Sequence, residues 1–150
     1  MLPAPDVHAE KRRLGRRSLH TAVVVLGAVG AAVLFVWNPA GNALFPKCAF
    51  FSTTGMHCPG CGTQRALHHL LHVRIVEAFH HNALALFCLP ILVMGFRRWT
   101  LTVWSSRAAS VRTPRPRRIW AFLVLVIAFW CLRNIPVYPL TLLAPPVVSQ

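Results

Sequence analysis

Acidic residues are nearly absent: Asp6, Glu10 and Glu77 are the only three among 150 residues. Glu77 is the only carboxylate expected on the side of the membrane that holds the Cys-rich loop, which excludes hydrolysis by paired carboxylates. It also leaves no credible Ser-His-Asp set. Charge of any sign is scarce at 13% of residues, where soluble domains carry about a quarter. Hydrophobic residues make up 55% and the mean hydropathy is +0.53, a balance that belongs to a membrane protein. The formal net charge of +13 does not indicate nucleic-acid binding. Its arginines and lysines sit in blocks flanking apolar runs, as membrane topology requires, and no nucleic-acid motif accompanies them.

The order of apolar and basic stretches predicts an all-α membrane protein with three transmembrane helices. Residues 1–18 read as a disordered basic cytoplasmic tail with Lys11, Arg12, Arg13, Arg16 and Arg17. Residues 19–37 form the first span, of the ~20 residues a bilayer needs. A basic start before an apolar run also resembles a signal peptide, but this run is longer than a usual signal core, so a retained helix is expected. Residues 38–62, rich in Pro, Gly, Thr and Ser, form a Cys-rich loop.

Thr63 is expected to cap an interfacial amphipathic helix over 63–81. Its wheel sets Leu67, Leu70, Leu71, Ile75 and Ala78 against Arg65, His68, His69 and His72. The second span, 78–96, shares its first turn with that helix and contains Pro90, a potential kink. A basic loop over 97–118 follows, with seven arginines and with Trp99 and Trp104 suited to an interfacial belt. The third span, 119–135, is about 25 Å long at ~1.5 Å per residue, with Arg133 expected to snorkel outward from its end. Residues 136–150 form a Pro-rich tail. Both basic blocks fall on one side of three spans, which places the N-terminus in the cytoplasm and the Cys-rich loop and C-terminus on the exoplasmic side of the cell membrane. Gly27 and Ala31 have the small-xxx-small spacing of associating membrane helices, so a homo- or hetero-oligomer is a candidate partner state beside the lipid bilayer.

Between Cys48 and His81 lie three of the five cysteines and six of the eight histidines. Two residues separate Cys58 from Cys61, a spacing that lets both sulfurs grip one ion. The same spacing at a helix start makes a redox pair, with the helix dipole and Arg65 favouring a thiolate. Three outer cysteines are an odd set, which disulfides alone leave unpaired. Cys48, Cys58 and Cys61 with one of His57, His68 or His72 would complete a tetrahedral site, and zinc is the expected ion for that ligand set. Two further readings stand beside it. One is thiol–disulfide exchange by Cys58 and Cys61, with Cys48 resolving. The other is a non-enzymatic assembly subunit whose loop is stapled by a structural disulfide. A zinc deaminase is excluded because His8 belongs to the opposite side of the membrane and no Pro precedes Cys58. A c-type haem is excluded because Gly62, not His, follows Cys61. Cys88 and Cys131 read as small buried side chains.

With its flanks, the stretch resembles a domain-of-unknown-function family of small bacterial integral membrane proteins. The resemblance rests on Asn38-Pro39, Cys48, Phe50, Thr54-Gly55, Cys58 to Gly62, Arg65-Ala66, and a closing Trp130, Arg133-Asn134-Ile135-Pro136 and Leu143-Ala144-Pro145. It departs from the family's pattern at Ala49 and Ala83, where Pro is frequent, and at Gln64, where Thr is frequent. The resemblance implies a membrane location and no particular activity.

Overall fold

The computed structural model describes residues 7–42, 45, 48–105 and 115–144. These residues form an all-α fold of five helices and a short 3-10 turn: α1 Val7–Val36, α2 Ala49–Thr54, α3 Thr63–Leu71, α4 Ile75–Trp104, α5 Pro116–Arg133, and the turn Leu140–Leu143. Two of them, α1 from Glu10 and the whole of α4, are long and apolar enough to cross a membrane. Their large side chains face outward: Leu26, Val29, Phe87, Ile91 and Leu92 are all exposed. The buried set is small and mixed, with Cys61, Ala66, Ala78 and Ala83 beside His20, Asn82 and Arg133. Apolar outside and polar inside is the pattern of a bundle whose solvent is lipid, because there a polar group finds its partners only within the protein.

α1 begins earlier than the sequence suggested. Residues 7–18, expected as disordered tail, are helical, because Ala, Glu, Lys, Arg and Leu all favour helix and no proline intervenes. The tail residues before Val7 and the loop residues 106–114 lie outside the described residues, and the expected Pro-rich tail is described only to Ala144. α1 and α4 run antiparallel. Midway along α1, His20 is buried against the end of α4, its ring 5.7 Å from that of Phe96 and 4.9 Å from that of Trp99. Its Nδ1 accepts from Trp104 Nε1 at 3.5 Å, which leaves Nε2 to donate to Thr100 Oγ1 at 2.9 Å. Trp99 and Trp104, expected at a lipid interface, therefore serve an interhelical polar contact as well.

The interfacial helix expected over 63–81 is broken. α3 ends at Leu71, Val73 takes a positive φ of 61°, and α4 starts at Ile75. The two faces are also mixed in exposure: Leu71, His72 and Ile75 are exposed, Leu67, His68, His69 and Leu70 are half-buried, and Ala78 is buried. His68 Nδ1 lies 2.6 Å from the Leu34 carbonyl oxygen and so donates to it, and His72 stacks on Phe35 at 4.5 Å. The physical reason is the end of α1, whose last carbonyls have no intrahelical donor; His68 supplies one.

α4 is bent at Asn82, where φ −162° and ψ 93° leave the helical region, and not at Pro90, which sits inside continuous helix. Asn82 is in effect the N-cap of the second part of α4: its Oδ1 accepts the Ala85 amide at 3.0 Å, the bond an Asn cap makes.

Candidate metal centre

The Cys-rich loop is shaped by two backbone reversals. Gly55 closes α2 with φ 70°, its amide bonded to the Phe51 carbonyl at 2.9 Å. Gly62 opens α3 with φ 82°. Glycine enters this left-handed region at little cost, so the chain can turn from the Cys58–Cys61 loop straight into α3. Thr63, expected as the cap, is the first helical residue instead. Its hydroxyl donates to the Gly60 carbonyl at 2.8 Å and accepts from Asn82 Nδ2 at 2.9 Å.

These turns bring three sulfurs together. Cys58 Sγ lies 3.1 Å from Cys61 Sγ and 3.5 Å from Cys48 Sγ, and all three lie within 4.8 Å of one another. A disulfide would require about 2.05 Å. A tetrahedral zinc with Zn–S near 2.3 Å sets its sulfurs about 3.8 Å apart, so the observed triangle is close to one that a single ion draws together. Cys61 is buried, while Cys48 and Cys58 are half-buried. Burial, with the Cys58 and Cys48 thiols adding to it, pushes the Cys61 thiol up to about 12. Burial also raises Cys48, but the amides of Phe51 and Phe50 and the Cys61 and Cys58 thiols outweigh it, so Cys48 ends below the usual thiol range.

The loop's backbone is held from two sides by residues far away in sequence. Asn82 Nδ2 donates to the Pro59 carbonyl at 3.0 Å and the Cys61 carbonyl at 3.2 Å. From the end of α5, Arg133 Nη1 donates to the Cys58 carbonyl at 3.1 Å and the Pro59 carbonyl at 3.3 Å, and Nη2 to the Cys61 carbonyl at 3.2 Å. Asn134 completes the clamp: its Oδ1 accepts the His57 amide at 2.8 Å and its Nδ2 donates to the His57 carbonyl at 2.9 Å.

Arg133 does not snorkel outward as expected. It is 1% exposed, with its guanidinium 5.1 Å from the Phe129 ring centroid. Three loop carbonyls replace the water that snorkelling would have supplied. The Arg133 guanidinium brings its charge toward Cys58 and Cys61, a role that sequence suggested for Arg65.

Among the described residues the metal-ligand group contains the three cysteines and no histidine. His57, beside Cys58, stacks on Phe51 at 4.6 Å. Burial, then the Arg133 charge, hold its imidazole below the ordinary range. His68 and His72 are turned toward α1, as described above. Asn82, Arg133 and Asn134 were missed as site residues. The one signal for the last two was their place in the closing Arg133-Asn134 motif, which spacing alone does not connect to Cys58.

No curated protein and no solved structure matches the chain. Over residues 48–96, which run from the first cysteine of the cluster through the bend at Asn82 into α4, the chain is similar to a family described as protein of unknown function (DUF2752).

Proposed function

We propose that the protein is a multi-pass membrane module that holds one metal ion, zinc by default, on Cys48, Cys58 and Cys61. The observation that carries this is the triangle of three sulfurs within 4.8 Å of one another. A divalent ion would neutralise the charge of converging thiolates and tie α2 to the start of α3. Such sites contribute on the order of 10 kcal/mol to folding. α5 is the third span, and α3 packs where the bundle meets the exoplasmic surface. Support for this topology comes from the antiparallel contacts. The clamp at Arg133 sets the end of α5 beside the cysteines, and the His20 contacts set the middle of α1 beside the end of α4. The basic residues 11–17, 97–98 and 115–118 then gather at the end away from the cysteines, the cytoplasmic end by the positive-inside rule.

A second reading, thiol–disulfide exchange, is favoured by the depressed Cys48 thiol next to Cys58. Metal analysis with thiol counting on protein purified without reductant or chelator separates the two. In the metal reading the ion copurifies at one per chain, and Cys48→Ser releases it nearly as fully as Cys61→Ser, because each removes one of three ligands. A metal-free preparation with a Cys58–Cys61 bridge found by mass spectrometry overturns the metal reading. Mixed disulfides trapped in Cys48→Ser then mark the redox one.

A further inference from the structure

The charge of the occupied site can be counted, and the count bears on the ligand the three cysteines leave out. Arg133 is 1% exposed, and a guanidinium does not give up its proton in a protein. A buried charge persists only where an opposite charge or a full set of hydrogen bonds compensates it. The hydrogen bonds are incomplete: three loop carbonyls meet the two terminal nitrogens, but Arg133 Nε is buried without a partner. Among the described residues, the groups whose charge acts on Arg133 are Cys58 and Cys61.

A neutral disulfide in this loop would leave the guanidinium unbalanced. A divalent ion on three thiolates carries one net negative charge and balances it. A monovalent ion on three thiolates, or a divalent ion on four anionic ligands, overshoots to two negative charges. The chain brings no fourth ligand of its own into the group among the described residues.

We infer that the Cys48–Cys58–Cys61 site holds a divalent ion whose fourth position is open to a neutral oxygen or nitrogen donor from outside the chain, with Arg133 as the buried counter-charge to the three thiolates. This rests on the proposed metal reading. In the isolated protein that donor is water. An open fourth position distinguishes zinc sites that exchange ligands from closed structural ones.

Cobalt(II), loaded into the purified full-length protein in detergent, makes the coordination visible. The expected result is a thiolate-to-cobalt charge-transfer band with ligand-field bands that shift when imidazole is added. Those bands stay unchanged in His57→Ala, His68→Ala and His72→Ala. Arg133→Met weakens cobalt binding at least tenfold, and Arg133→Lys, which keeps the charge but not the fork, recovers part of the loss. Cobalt bound with bands that imidazole does not move overturns the open position while leaving the metal site standing. So does a band change in one of the three histidine variants, since that histidine would then be the fourth ligand. Equal affinity in wild type and Arg133→Met overturns the counter-charge. No cobalt bound by the wild type overturns the metal site and its open position together.

Discussion

Replacing Asn82 by Ala tests whether the bend in α4 is what holds the cysteine loop in place. The Asn82 side chain is fully buried and links two structures. Its Oδ1 caps the second part of α4 at Ala85, and its Nδ2 reaches Pro59 O, Cys61 O and Thr63 Oγ1 at 2.9–3.2 Å. Losing the cap costs about 1 kcal/mol. The amide has two hydrogens, and two buried hydrogen bonds contribute about 1 kcal/mol each. No large penalty for stranded carbonyls is added, because Arg133 still donates to both Pro59 and Cys61. The sum is about 3 kcal/mol, and at ~1.4 kcal/mol per tenfold it weakens metal binding by up to about a hundredfold. Competition with a chromophoric zinc chelator measures the affinity, and circular dichroism in the same detergent measures the Tm. The expected result is a ten- to hundredfold weaker affinity together with a lower Tm. A folded Asn82→Ala protein that binds zinc within twofold of wild type would refute the idea that this residue holds the loop.

Four other expectations follow from different parts of the molecule. Ala83→Pro places proline at the first helical position after a cap, where its missing amide is harmless; thermal melts should show a Tm equal to or above wild type, and a sharp drop would mean that Asn82 is not a cap. An impermeant thiol reagent on intact, pre-reduced cells should label the 48–61 cysteines, and a reporter fused after Gln150 should lie outside; labelling only after lysis reverses the topology. Burial first, then the charges of His68, Arg74 and His72 against the opposing Glu77, hold His69 below the ordinary imidazole range. Stability from neutral His69 is thus present above about pH 6.5 and lost as the pH falls, so melts from pH 7.5 to 5 should decline less steeply in His69→Gln. A Cβ at Gly27 meets nothing within 4 Å inside the chain, so Gly27→Leu with Ala31→Leu should leave the Tm unchanged; weaker chemical cross-linking between copies would assign this face to helix association, and an unchanged pattern would assign it to lipid.

Composition and order alone settled the helical, membrane-suited character of the chain. Apolar runs near α1 and α4 are legible because lipid selects residue by residue for hydrophobicity, with no need of a partner in the fold. The cysteine cluster was also legible, because Cys58 and Cys61 are local to one turn and Cys48 is near in sequence. Helix ends were less so: the tail before Leu19 carries charge, yet its residues favour helix, and Gly62 rather than Thr63 caps α3 because a left-handed turn was needed there. The clamp was decided only by tertiary structure. Asn82 is 21 residues from Cys61 and Arg133 is 72 residues away, and no periodicity records which carbonyl a buried donor will meet. The same holds for the histidines. Their spacing on α3 suggested ligands, and only the tertiary structure shows His68 Nδ1 on the Leu34 carbonyl at the end of α1, because in a bundle surrounded by lipid each exposed backbone group must find its partner inside the protein.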